Sequence, residues 1–136
     1  MRRAASLASV ILGVILIMGG VGTWILVSNE LADQNITVSS DASCLAEDEV
    51  NGPFSAYCEA EVIEKHALES TDGKTYAELP REDPLRQVAM NASFLRASLF
   101  TSVVAFGVAG SAILMGVVFI MIGLGIRDVS VRTGIR

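Results

Sequence analysis

From Ala97 to Ile126 the chain runs for 30 residues without a charged side chain, with Arg96 at one end and Arg127 at the other. About 20 helical residues cross the roughly 30 Å hydrocarbon layer of a bilayer. This stretch therefore predicts a membrane-crossing helix, and it constrains the chain more than any other feature. A second uncharged run, Ala4 to Asn29, comes first. The 136-residue chain is 51% hydrophobic with mean hydropathy +0.52, and those apolar residues are concentrated in the two runs rather than dispersed as in a soluble core. About 65 residues lie between the runs, room for one small extramembrane domain and too few for a large catalytic fold.

Charge orients the two helices. Between Glu30 and Leu95 there are 14 acidic residues and four basic ones, Lys65, Lys74, Arg81 and Arg86. Arg2 and Arg3 stand before the first run, and Arg127, Arg132 and Arg136 after the second. Lys and Arg beside membrane helices are retained on the cytoplasmic side. Both termini are thus expected inside and the acidic loop outside. The acidic balance argues against nucleic-acid binding. Both cysteines, Cys44 and Cys58, fall in that outer loop, where an oxidising compartment favours a disulfide stapling it.

The first run follows a short basic start, as in a secretory signal. A signal's apolar region is only about 7–15 residues and ends at small residues. This run is longer, and Asn29-Glu30-Leu31-Ala32 makes a poor cleavage site, so an uncleaved anchor is expected. Trp24 lies near its outer end, where an amphipathic ring suits the interface. Gly19/Thr23, Gly107/Ser111 and Ala112/Gly116 show small-residue spacings that let helix backbones approach. The expectation is that Gly19, Thr23, Gly107, Ser111 and Gly116 mediate helix packing, either between the two membrane helices or with another copy or partner.

In the loop, Gln34–Ser39 alternates briefly and reads as a short strand. Asn35-Ile36-Thr37 and Asn91-Ala92-Ser93 fit the glycosylation sequon, a pattern frequent by chance. Glu47–Gly52 resembles the opening of a calcium loop but places Cys58 where the bidentate Glu belongs, so it reads as a solvated acidic turn. Ser55 to about Glu69 reads as a helix, Thr71-Asp72-Gly73 as a turn and Thr75–Leu79 as a helical turn. Asp83-Pro84 opens a further helix, and Leu85, Val88, Ala92 and Leu95 recur at helical spacing into the second apolar run. One helix from Pro84 to Ile126, roughly 64 Å long, is expected, followed by a frayed tail.

Residues that could carry chemistry are sparse. His66 is the only histidine and reads as a surface residue on an acidic helix beside Glu64, Lys65 and Glu69. No spacing singles out an acid/base pair from Glu59, Glu61, Glu64 and Glu69, which read as a solvated face. There is no nucleophile elbow, P-loop or dinucleotide-binding glycine motif. Neither apolar run holds an ionisable side chain, as a proton or ion pathway usually requires.

Several stretches resemble a family of small actinobacterial two-span membrane proteins: Gly52-Pro53-Phe54, Ala56-Tyr57, Val62-Ile63, Lys65-His66-Ala67-Leu68, Gly73–Leu79 and, most specifically, Ser93–Gly107. The cysteine pair lies outside the family pattern. Members are often labelled "aromatic ring-opening dioxygenase LigA". Such chemistry uses non-haem iron held by two histidines and a carboxylate, and this chain has one histidine, so the label reads as a misannotation.

Together these readings predict an all-α membrane protein: a two-helix hairpin with a small α-rich, disulfide-stapled extracytoplasmic domain. The expected segments are a cytoplasmic start (1–3), helix one (4–28), outer domain (29–95), helix two (96–126) and a cytoplasmic tail (127–136). The expected function is a non-enzymatic accessory, scaffolding or partner-binding component of the cell envelope, located in the plasma membrane. No cofactor, metal or catalytic residue is expected. Besides the bilayer, its partner would be another membrane protein or a second copy. The surface for it is expected around Phe94, Arg96, Phe100 and Phe106. The alternatives are an iron-dependent dioxygenase, as the family label states, and an extracytoplasmic sensor or cation-binding loop.

Overall fold

The computed structural model describes residues 2–132. It contains α1 (Arg2–Ala32), α2 (Pro53–Ser70) and α3 (Leu85–Arg132). Among the described residues there is no strand. The expected strand at Gln34–Ser39 reduces to one antiparallel bridge between Thr37 and Glu49. The pairing stops because Leu45 and Glu47, on the returning segment, adopt left-handed backbone conformations (φ 48° and 64°), which break extended geometry.

Each helix outruns its expected limits at one end or both. α1 continues past the uncharged run because Leu31 is buried, and it ends where Asn35 turns left-handed (φ 52°), a conformation Asn tolerates. α2 opens at Pro53, since proline suits the first helical position. It closes where Asp72 and Gly73 both take positive φ and the Gly73 N–H donates to Leu68 O at 2.8 Å. The expected turn at Thr75–Leu79 forms, with Glu78 N–H and Leu79 N–H donating to Thr75 O at 3.1 and 3.2 Å and the Glu78 carboxylate accepting from Thr75 N–H at 2.8 Å. α3 starts one residue later than expected, with the Asp83 carboxylate capping Leu85 N–H at 2.9 Å. It runs on to Arg132, since no Gly or Pro interrupts Arg127–Arg132. The first part of the expected frayed tail is therefore helical. Met1 and residues 133–136 lie outside the described residues.

The chain forms two compact units, one of residues 1–26 and 107–136, the other Val27–Phe106. In the first unit, α1 and α3 pack antiparallel along small residues. A Cβ built on Gly13 would lie 2.5 Å from Gly116 O, and one on Gly116 would lie 2.6 Å from Gly13 O. One on Gly20 would meet Ala109 O at 2.7 Å, and one on Gly123 would meet Ser6 O at 2.9 Å. Each step of seven residues along α1 (Ser6, Gly13, Gly20) thus meets a step of seven along α3 (Gly123, Gly116, Ala109). A seven-residue repeat keeps two helices in register over several turns. Ser6 and Ser9 add hydroxyl hydrogen bonds to Gly123 O and Phe119 O, each 2.7 Å.

Within the chain, this register uses one of the expected packing residues and leaves the others off the α1–α3 contact. Gly116 lies in the contact. A Cβ at Gly19 or Gly107 would meet nothing within 4 Å, Thr23 and Ser111 are exposed, and the Ser111 hydroxyl bonds back to Gly107 O. Four-residue spacing marks one face of a helix, but which face is used depends on the partner helix.

The second unit is built around Leu31, Val38, Val50, Ala56, Cys58, Ala60, Leu99 and Phe106. Residues 97–106 of the long apolar run therefore cover this core, and 20 uncharged residues, Gly107–Ile126, remain for the first unit. Cys44 and Cys58 form the expected disulfide, which ties the 39–46 segment to α2.

Candidate functional site

The surface expected on α3 divides once its neighbours are placed. Phe106 is only 1% exposed and belongs to the core of this unit. Arg96 pairs with Glu64 on α2, and its guanidinium carbon lies 5.2 Å from the Phe100 ring centroid. Phe100 in turn meets Tyr57 edge-on, with ring centroids 5.9 Å apart. Arg96 and Phe100 therefore stitch α3 to α2 across the middle of the domain. Phe94 differs: it is 67% exposed, and Leu95 beside it is 54% exposed. Leu95, with Val88 and Leu85, also exposed, forms an apolar ridge along α3, and Phe94 stands about 100° round the helix from Leu95.

Beside that ridge lies a groove of about 310 Å³. Ala67 and Leu68 of α2, Tyr76 of the connecting loop, and Ala89 and Ala92 of α3 line it, with the Glu64–Arg96 pair at one wall. Its width follows from the alanines, which keep the helix surfaces low. Arg86 holds the loop against α3: its guanidinium carbon lies 4.0 Å from the Tyr76 ring centroid, and Nη1 donates to Leu79 O at 2.6 Å.

The acidic α2 face is less uniformly solvated than its composition implies. Glu59 is buried, and its carboxylate accepts the Ser39 N–H at 2.9 Å. Glu64 takes the Arg96 pair, whereas Glu61 and Glu69 are exposed. Beside Glu64 on α2, the Asp41 carboxylate receives Lys65 Nζ at 2.8 Å and lies 2.9 Å from His66 Nε2. The hydrogen bond from Lys65, then that from His66, holds the Asp41 pKa down at about 2. Asp41 in return raises that of Lys65. Sequence reasoning missed Asp41 and Glu59 as partners because both contacts join residues 20 or more apart. Among the described residues, no three His, Cys, Asp or Glu side chains group as a metal site would.

Comparison of the chain with family models, curated proteins and solved structures gives no match.

Proposed function

We propose that this is a two-span protein of the cell envelope whose outer domain binds a protein partner and carries out no reaction itself. Support for insertion comes from the apolar side chains that α1 and α3 leave outward. Met18 is 71% exposed, Leu114 70%, Met121 66% and Leu7 62%. Soluble monomers rarely expose contiguous apolar patches beyond a few hundred Å², and lipid covers such a surface favourably. The basic residues at both ends favour cytoplasmic termini.

The partner-binding reading is carried by one observation, the uncovered apolar side chains of α3 at Phe94 and along the Leu85–Val88–Leu95 face. A photo-cross-linking residue at position 94, activated in native membranes, is expected to capture a discrete membrane protein or a second copy of the chain. An adduct pattern no different from that of a residue placed at exposed Glu61 would count against it. Elemental analysis for iron, with replacement of His66, tests the dioxygenase alternative directly.

A further inference from the structure

We propose that the first turn of α2 is a lipid-interface anchor, with Phe54 seated among the headgroups of the outer leaflet and Tyr57 beside it. The proposal rests on the insertion of α1 and α3 argued above.

Three observations carry it. First, residues 50–58 form a nine-residue stretch without charge in a domain that otherwise carries 14 acids, and the first turn of α2 contains no acid. Second, Phe54 is 77% exposed and Tyr57 45% exposed, so this turn presents apolar rings outward instead of to the core. Its inward side is occupied by Ser55, Ala56 and Cys58, all buried.

Third, both neighbours of this turn are the outer ends of the uncharged runs. The Ser28 hydroxyl, at the end of the first run, donates to Asn51 O at 2.5 Å, three residues before Phe54. Tyr57 meets Phe100, four residues into the second run. The turn is therefore fastened to Ser28 and Phe100, which lie two and seven residues beyond the Leu26 and Gly107 ends of the apolar unit, about 3 and 10 Å along the helices. Aromatic rings at that height gain by sitting between acyl chains and headgroups. Anionic side chains there would be repelled by acidic lipids, and residues 50–58 lack them, as do residues 87–95 before the second run.

Lipid is favoured over a protein as the occupant because the turn is fastened to the ends of the two uncharged runs, at Ser28 and Phe100, with Arg96 over the Phe100 ring and Glu49 accepting from Asn51 as the charged groups at its edge.

Tryptophan quenching in bilayers separates the cases. Trp24 is the only tryptophan in the chain. In the unaltered protein its quenching by lipid brominated along the acyl chains reports insertion of the helices alone. A double variant, Trp24→Phe with Phe54→Trp, then reports the anchor, and a second, Trp24→Phe with Phe94→Trp, reports the exposed side of α3 at that position. The indole at position 54 is expected to lose emission and shift to the blue with lipid brominated just below the headgroup, and the indole at position 94 to be unaffected. Quenching of Trp24 with none at position 54 overturns the anchor and leaves insertion standing. Equal quenching at positions 54 and 94 overturns the assignment to this turn, and an unquenched Trp24 removes insertion and the anchor together. Fluorinated phenylalanine at position 54, relaxed by a paramagnetic ion chelated to the headgroups, gives the same readout with the native ring shape retained; no relaxation there overturns the anchor.

Discussion

Asp41 shows how a single exposed residue can close a loop. It lies three residues before Cys44 and reaches Lys65 and His66 on α2, so it adds a polar clasp beside the covalent one. Its pKa is lowered from 3.8 to about 2, chiefly by the Lys65 hydrogen bond and then by that of His66. The folded state thus holds the Asp41 proton more weakly than the unfolded state. The clasp's contribution is fully present above about pH 4 and is lost as pH falls through about 2. Amide protection at Ser39–Ala42, measured as exchange relative to the intrinsic rate at each pH, is expected to fall across that window, and Asp41→Asn should remove that loss of protection. An unchanged profile in the variant would assign the transition to another carboxylate. Buried Glu59 works differently: it satisfies a backbone N–H that would otherwise be orphaned, at Ser39.

At the scale of elements, the α1–α3 contact depends on small residues at every seventh position. Gly13, Gly20, Gly116 and Gly123 leave no room for a side chain. Gly116→Val is expected to force the helices apart at a cost of roughly 1–3 kcal/mol, the usual range for overpacking. Gly19→Val, with open space around it, should leave the contact intact. Resistance to denaturing detergent, followed by circular dichroism, distinguishes the two variants, and equal loss in both would contradict the register. Ser6 and Ser9 reinforce that contact because a hydroxyl on an apolar helix has few other partners.

For the whole molecule, the two units rest on different forces. The unit of residues 27–106 has a small core and a disulfide between residues 14 apart, worth roughly 3 kcal/mol in the chain-entropy model. Replacing Cys44 and Cys58 with Ser is expected to expose the 33–50 loop to protease, while helical content and the Gly13–Gly116 contact persist. Loss of both together would show that the units are not separable in stability.

How much of this was legible from residues alone follows the range of each interaction. Helices α1 and α3 could be read because an uncharged run of 26 or 30 residues is a local property of the chain. The disulfide could be read because only two cysteines exist. The start of α3 at Asp83-Pro84 was also visible, since capping acts within a few residues. Phe106, by contrast, reads as part of a membrane helix or a partner surface. It is buried because Val38, Val50 and Ala56, distant in sequence, fold into the same cluster. Likewise Gly19/Thr23 and Gly20 are equivalent as small residues on α1, and only the register of α3 selects Gly20. Local pattern thus determined the apolar helices, their caps and the staple. The tertiary structure decided which small residues touch and that residues 97–106 join the core of the 27–106 unit. It also decided that Arg96 and Phe100 bind α2 while Phe94 stays exposed. Those outcomes depend on pairing surfaces between segments far apart in the chain, and no local periodicity encodes the partner.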